Sequence, residues 1–301
     1  MELSAGLASP RTASLRPRPA AVAAEPIAAP VLDGWRLTAL VHRGQQLTLY
    51  RARPIDDDAG PGCYLLKTPR VDRQGDELAT SLLRREAAVA AQASHPHLSA
   101  VLSAATGGSP PYIVLPYLDG VSLRRRLAAR FSAVRGLWIA RQLAEALAAL
   151  HAADWLHGQV RPEHAIVSPQ GHVTLIDLSQ TRRAGTSECA SSAAPPLAPA
   201  YAPPEAFLER GELTAASDVY SLGILLFELL TGRTPFAASS WRQMAWSHCR
   251  LSAPDIREHV PTSPRDVAEL VRWMLAKEPL RRPSAAELID RLAGLEIAEL
   301  L

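Results

Sequence analysis

Glu86 is the ionisable side chain whose sequence setting most clearly predicts chemistry. It lies in a predicted helix over residues 77–93, where Leu82, Val89 and Ala93 share its face at helical spacing. A carboxylate on an otherwise apolar stripe is costly to bury unless a charged or hydrogen-bonding partner meets it. The sequence therefore predicts that Glu86 pairs with a group from another part of the chain.

Metal ligation is the second chemistry that the residue types raise, and their spacing argues against it. The run Asp56-Asp57-Asp58 lies in a loop bordered by proline and glycine, which is typical of a solvated turn. Cysteine is sparse and odd in number, and no spacing resembles a zinc pair or a disulfide framework. The cysteines are Cys63, Cys189 and Cys249. This usage favours a reducing, cytoplasmic environment.

The elements that must position these groups form two regions of different character. Between residues 35 and 117, short apolar runs separated by turn residues predict a small antiparallel sheet, interrupted by the helix that carries Glu86. Beyond residue 119 the patterns predict helices, and one hairpin joins residues 165–167 to 173–176. The predicted strands of the first region are 35–41, 47–52, 64–67, 98–104 and 112–117, and the helices of the second are 136–153, 215–230, 264–276 and 285–293.

Composition indicates a folded chain with a modest charge. Hydrophobic residues make up 48% of the 301, and 32 Lys plus Arg face 30 Asp plus Glu. The resulting charge of +2 gives no basic excess for nucleic acid, and no apolar run is long enough to span a membrane. Residues 1–30 are rich in Ala, Pro, Arg and Ser, which predicts a disordered leader. Glu2 and Glu25 disfavour the alternative of an organellar targeting sequence.

Five segments of the chain follow one another in an informative order. They are Tyr64-Leu65-Leu66-Lys67, His157-Gly158-Gln159-Val160-Arg161-Pro162-Glu163-His164, Leu175-Ile176-Asp177-Leu178-Ser179, Ser217-Asp218-Val219-Tyr220-Ser221-Leu222-Gly223 and Lys277-Glu278-Pro279-Leu280-Arg281-Arg282-Pro283-Ser284. Together they resemble the motifs of bacterial members of the eukaryotic-type serine/threonine protein kinase family, over residues 32–295. The resemblance implies an α+β, two-lobed fold, with a small antiparallel-sheet lobe and one helix at 31–117 and a larger, mainly helical lobe at 118–297.

The same resemblance implies a phosphate and magnesium site shared by the two lobes. Lys67 would contact the α and β phosphates of ATP and pair with Glu86, and Asp177 would bind magnesium as the key catalytic carboxylate. Arg161 stands in place of the loop lysine that neutralises the γ-phosphate.

The resemblance also places the adenine pocket and the phosphate-binding loop. Leu115 corresponds to the gatekeeper, and backbone atoms near Pro116 and Leu118 would meet the adenine. The loop glycines of the family correspond to His42, Gly44 and Leu47, so only Gly44 is retained and ATP binding should be weak. Side chains at the other two positions should obstruct the phosphates or force a different turn. The cofactor-binding residues expected from this part of the chain are Val41, Gly44, Leu49, Leu115, Pro116 and Leu118.

The segment from His157 to His164 departs from the family where chemistry is done. Gln159 replaces the Asp that accepts the substrate hydroxyl proton, and a neutral amide cannot accept it. His164 replaces the Asn that would hold a second magnesium, so we expect one Mg²⁺ at most. Gly158 replaces the Arg that would clasp an activation-loop phosphate, and Ser179 replaces a glycine and restricts the backbone after Asp177.

Residues that would hold the helical lobe together are retained. His157 keeps its place at the start of the catalytic loop, and Asp218 would hold the backbone of that loop. Glu205 and Arg282 should form a buried ion pair, whose disruption leaves an unpaired charge.

Two functions fit this pattern. One is a pseudokinase, with weak ATP binding and a regulatory or scaffolding role. The alternative is an active but divergent serine/threonine kinase that transfers the ATP γ-phosphate to protein, with Arg161 on the phosphate and Glu163 as a substitute base. Phosphotransfer to small molecules is a third, minor option. We expect a protein partner or substrate, no nucleic acid and no membrane.

Overall fold

The chain folds into a sheet lobe followed by a helical lobe. The structure is a computed structural model, and it describes residues 25–26, 31–57, 62–127, 130–184, 196–209 and 211–300. The two-lobed α+β architecture predicted from the sequence is confirmed.

An antiparallel sheet forms the first lobe. Its strands are β1 (Glu25–Pro26), β2 (Val31–Leu32), β3 (Trp35–Arg43), β4 (Leu47–Pro54), β5 (Tyr64–Pro69), β6 (Ser103–Ala105) and β7 (Tyr112–Pro116). They are hydrogen-bonded in the order β1-β3-β4-β5-β7-β6, and β2 also pairs with β3. Alternate residues point to opposite faces, so Leu66 and Val114 pack in an outer cluster while Leu47, Ile113 and Leu115 face inward.

The helix α1 (Glu77–Gln92) covers the inner face of this sheet. Asp76 caps it, since its carboxylate accepts a hydrogen bond of 2.8 Å from the Leu78 N–H. The buried face carries Leu82, Leu83 and Val89 together with Glu86, which is only 1% exposed. The prediction of a helix with one carboxylate on its apolar stripe is confirmed, to within one residue at its C-terminal end.

The prediction for residues 1–30 is wrong at Glu25 and Pro26. These two residues form β1, in register with Leu40 and Ala39 of β3. Their composition gave no strand signal, but the edge of β3 offers unpaired backbone groups to any extended segment. The other residues of the predicted leader, 1–24 and 27–30, lie outside the described part of the chain.

The second lobe is built on helices around a buried core. The helices are α2 (Leu123–Arg126), α3 (Ala133–Ala152), α4 (Ala215–Thr231), α5 (Trp241–Arg250), α6 (Arg265–Met274) and α7 (Ala285–Ala298), and the short strands are β8 (Val121–Ser122), β9 (Trp155–Leu156), β10 (Ala165–Val167), β11 (Val173–Leu175) and β12 (Arg182–Arg183). Helix α4 is buried along nearly its whole length, as its run of apolar residues predicts. None of the helices among the described residues has the length and apolar composition needed to cross a membrane.

Two elements differ from their sequence predictions. The run 98–104 was predicted as a strand, but the strand β6 begins only at Ser103 and ends at Ala105. Near the start of the run, the Ser99 N–H donates to the Leu175 carbonyl of the second lobe (2.9 Å). Helix α5 was not predicted from the sequence, and only Ser247 and His248 of this helix are buried. The hairpin of β10 and β11 is confirmed, with Ala165 opposite Leu175.

Candidate functional site

Lys67, Glu86 and Asp177 meet in one cluster between the lobes. Lys67 Nζ lies 2.6 Å from Glu86 Oε2 and 2.7 Å from Asp177 Oδ1. Lys67 lies within β5, where the register places it between Leu49 and Ile113. The partner that the position of Glu86 requires is therefore Lys67, as predicted.

The electrostatics of the cluster keep Lys67 and Asp177 charged. Burial lowers the pKa of Lys67, but the carboxylates of Glu86 and Asp177 outweigh it and raise that pKa above its usual value. Burial raises the pKa of Asp177, but the Lys67 charge together with the hydrogen bonds from Lys67 and Ser179 lowers it, and the pKa lies well below its usual range. The site thus presents a fixed ammonium beside a fixed carboxylate.

Asp177 is held in an unusual backbone conformation by its neighbours. Its φ of 67° is in the left-handed region, which favours glycine. The Ser179 hydroxyl donates to Asp177 Oδ1 at 2.7 Å, the same oxygen that Lys67 contacts. The serine predicted to restrict this backbone therefore also restrains the carboxylate, and Asp177 Oδ2 faces His164.

Arg161 and His164 form a second cluster beside Asp177. The His164 Nδ1 lies 2.9 Å from the Gln159 carbonyl, and its Nε2 lies 3.0 Å from Arg161 Nη2 and 3.6 Å from Asp177 Oδ2. Burial lowers the pKa of His164 to about 4, so the ring is neutral near pH 7. His164, at the position of the family's metal-binding Asn, is therefore hydrogen-bonded to the Arg161 guanidinium.

Gln159 occupies the position of the family's proton acceptor. Its backbone N–H donates to His157 Nδ1 at 3.2 Å, while its side-chain Oε1 is buried with no hydrogen-bond partner among the described residues. The side-chain amide carries no group that accepts a proton.

The backbone of this loop is held as the sequence predicts. The Asp218 carboxylate accepts hydrogen bonds of 2.8 Å from both the His157 and Gly158 N–H groups, and lies 3.0 Å from His151 Nε2. The buried His157 ring lies 3.2 Å from the Ile176 carbonyl through Nε2. The geometry assigns His157 and Asp218 to holding the loop.

Arg124 is a residue of this region that the sequence analysis missed. Its guanidinium donates to Glu163 at 2.7 Å and to Glu228 at 2.9 Å, and it also contacts the Tyr201 hydroxyl, which itself donates to Glu228. No signal in the run Leu123-Arg124-Arg125-Arg126 distinguishes the half-buried Arg124 from its exposed neighbours, apart from its position two residues after β8.

The residues expected at the adenine pocket lie where the lobes join. Leu115 is buried in the inner cluster of the sheet, and Pro116 ends β7 opposite Tyr64. The Tyr117 N–H donates to the Cys63 carbonyl (2.9 Å), and Leu118 follows, half-buried. Val41 and Leu49 are half-buried on β3 and β4, with an irregularity in register between Leu40 and His42 that re-aims β3.

A backbone hydrogen bond closes the turn between β3 and β4. The Gly44 N–H donates to the Leu47 carbonyl (2.9 Å), and a Cβ at Gly44 would lie 3.1 Å from that oxygen. Obstruction by Leu47 is not found, because its side chain is buried against Leu83 and Ile113 in the inner cluster.

The ion pair predicted within the helical lobe is also present. Arg282 Nη1 and Nη2 lie 2.7 and 2.9 Å from the two carboxylate oxygens of Glu205. The Ser217 hydroxyl donates to the same carboxylate at 2.7 Å. The pair ties the segment before α4 to the segment before α7.

Lys67 of the sheet bridges Glu86 of α1 and Asp177, which follows β11, between a sheet lobe and a helical lobe. This arrangement defines a protein of the kinase class. The chain belongs to the protein kinase domain family, which matches residues 57–292. Members of this family generally use ATP and Mg²⁺.

Its curated relatives are bacterial serine/threonine kinases. The chain is 31% identical over 279 residues to the serine/threonine-protein kinase PknL of Mycobacterium tuberculosis, covering 91% of this chain and 68% of PknL. It is 28% identical to the serine/threonine-protein kinase PrkC of Bacillus subtilis and 27% identical to the probable serine/threonine-protein kinase pknA2 of Bifidobacterium longum. These matches cover 84% and 88% of this chain but only 39% and 36% of those relatives.

Proposed function

We propose that this kinase domain is a pseudokinase that binds nucleotide weakly, transfers little or no phosphate, and acts through a protein partner in a regulatory or scaffolding role. The observation that carries the proposal is Gln159, a neutral amide where phosphoryl transfer to a hydroxyl needs a proton acceptor. A positioned general base contributes about 10² to 10⁴ in rate.

The neighbouring groups do not replace the missing base well. Glu163 is 42% exposed, and its Oε1 accepts a hydrogen bond of 2.7 Å from Arg124. Burial raises the pKa of Glu163, but this hydrogen bond and the charges of Arg124 and Arg161 together lower it below its usual value. His164 is neutral, but the lone pair on its Nε2 already accepts a hydrogen bond from Arg161. Both groups are poor proton acceptors.

The nucleotide would be held by the residues that remain. Lys67 would meet the α and β phosphates, and Asp177 would hold a magnesium ion through its Oδ2, which accepts no hydrogen bond within the described chain. A bound Mg²⁺ would neutralise charge on the phosphates. The Gly44 N–H donates to the Leu47 carbonyl within the hairpin and not to a phosphate. This supports weak rather than strong nucleotide binding.

A divergent active kinase is the second candidate function. The observation in its favour is the intact Lys67, Glu86 and Asp177 cluster, because positioning and electrostatics supply most of phosphoryl-transfer catalysis. Slow transfer to a protein serine or threonine is what this candidate predicts.

One assay separates the two candidates. Purified protein is incubated with labelled ATP, Mg²⁺ or Mn²⁺ and a generic serine/threonine substrate, beside the Asp177→Asn and Lys67→Ala variants. We expect incorporation no greater than that of the variants. Incorporation that both substitutions abolish would establish the active kinase.

A thermal-shift titration tests nucleotide binding separately. Nucleotide at about 100 times its dissociation constant should stabilise the native protein by roughly 2.7 kcal/mol, seen as a thermal shift.

Restoring the acidic residue at position 159 should not create an efficient enzyme. In Gln159→Asp we expect a rate gain far below the roughly 10² to 10⁴ of a positioned base, because Arg161 and His164 still occupy the neighbouring cluster. The matched comparison is the double variant Gln159→Asp with His164→Asn, in the same assay. A single variant as active as the double would show that His164 does not limit transfer.

A further inference from the structure

The contact between Arg161 and His164 is the feature of this site that the proposed function leaves unused. We infer that His164 holds the Arg161 guanidinium in the place of the second metal ion, so that nucleotide binds here with one divalent ion and one fixed arginine. The inference rests on the proposed nucleotide binding, and it assigns a positioning role to His164 and a phosphate-binding role to Arg161.

The hydrogen bonds of His164 fix which ring nitrogen carries the proton. Its Nδ1 lies 2.9 Å from the Gln159 carbonyl, which only accepts, so Nδ1 carries the hydrogen. Arginine only donates, so Nε2 is an acceptor: it receives the Arg161 Nη2–H at 3.0 Å and lies 3.3 Å from Arg161 Nε. The 3.6 Å separation between Nε2 and Asp177 Oδ2 is therefore not an ion pair.

The backbone makes this arrangement rigid. Residues Pro162–His164 form one turn of 3₁₀ helix, and the His164 N–H donates to the Arg161 carbonyl at 2.9 Å. The His164 side chain is only 9% exposed, and Pro162 beside it is buried. A ring held at both nitrogens and along its backbone is a fixed support for the guanidinium.

The chemistry of the pair opposes a second metal ion and suits phosphate. Magnesium prefers oxygen ligands in octahedral geometry, whereas here the lone pair of an imidazole is already bound by a cation. A second divalent ion would also meet the like charge of Arg161. Arginine has five N–H donors, and the two groups that face His164 leave the others for phosphate oxygens. Lys67 and Arg161 would then approach the nucleotide from opposite sides of Asp177.

The test counts ions and does not require activity. Bound Mn²⁺ and bound non-hydrolysable ATP analogue are measured together by equilibrium dialysis, with Mn²⁺ read by electron paramagnetic resonance. We expect one Mn²⁺ per bound analogue in the native protein and two in the double variant Arg161→Ala, His164→Asn.

In EDTA, the Arg161→Met variant should bind the analogue about tenfold more weakly than the native protein, because a charge-assisted contact is lost. Arg125→Met, at an exposed arginine of α2, is the matched control and should leave both readouts unchanged.

The outcomes separate this inference from the proposed function. Two Mn²⁺ per analogue in the native protein, or no loss of metal-free affinity in Arg161→Met, would overturn the inference while nucleotide binding stands. No bound analogue under any condition would overturn the proposed nucleotide binding, and the inference with it.

Discussion

Replacing Arg282 by methionine is expected to lower the free energy of unfolding by about 3 to 5 kcal/mol, because it leaves the buried Glu205 carboxylate without its cation. The Arg282 side chain is 0% exposed, and its guanidinium makes two hydrogen bonds to Glu205. Its remaining donors reach the carbonyls of Ala216, Ala276 and Lys277 at 2.7 to 3.0 Å. Methionine fills similar space but satisfies none of these acceptors.

Thermal unfolding measures the effect, with the adjacent arginine as a control. For a chain of this size, the loss corresponds to a fall in Tm of roughly 6 to 20 °C. Arg281 is 73% exposed and pairs with Glu278 on the same short turn, so Arg281→Met should change stability by about 1 kcal/mol or less. Equal shifts in the two variants would show that the Glu205 pair does not hold the lobe.

The ion pairs of both lobes are the part of the structure that the sequence predicts best. Glu86, on an apolar helix face, has few ways to be buried, and a cation is the commonest. The same logic applies to Glu205 and Arg282 within family motifs, and to Asp218 at the start of a buried helix. For these three carboxylates, the order of the motifs along the chain was sufficient to find the partner.

Contacts that depend on a side-chain conformation were not predictable in this way. Arg161 was expected to face the γ-phosphate, and the sequence contains nothing to show that its guanidinium lies against His164. Whether His164 donates or accepts depends on one backbone carbonyl of Gln159, which no residue pattern records. Arg124 was missed for the same reason. Its role depends on contacts with three residues that are distant in sequence, Glu163, Glu228 and Tyr201.

The backbone was predictable only where side chains determine it. Strands and helices with a clear apolar periodicity were located to within a few residues. The pairing of Glu25–Pro26 with β3 was not revealed by composition. Leu47 was expected to lie toward the phosphates, but the register of β4 turns it into the core under α1.

Replacing Lys67 by methionine is the second substitution with a large expected effect, and this effect depends on pH. Glu86 would keep a buried carboxylate with no cation, which costs about 3 to 5 kcal/mol when the carboxylate is charged. Asp177 also loses a partner, but its side chain is 29% exposed and keeps the hydrogen bond from Ser179, so Glu86 dominates.

The sign of the pH dependence follows from the pKa of Glu86. Burial already raises this pKa above its usual value, although Lys67 lowers it. Without Lys67 the folded pKa rises further above the unfolded value of about 4.3. A raised folded pKa adds stability below the unfolded pKa, and that stability is lost as the pH rises through the folded pKa. The deficit of Lys67→Met relative to the native protein should therefore be smaller at pH 5 than at pH 8.

Urea unfolding at pH 5 and pH 8 tests this, and the double variant Lys67→Met, Glu86→Gln is the matched control. Glutamine has nearly the shape of glutamate but no charge to bury, so the double variant should recover much of the stability at pH 8 and lose the pH dependence. If Lys67→Met has the same deficit at both values, or the double variant keeps the dependence, Glu86 is not the group whose burial Lys67 offsets. The expected result would show that Lys67 stabilises the fold by offsetting the buried charge of Glu86, independently of any role in binding nucleotide.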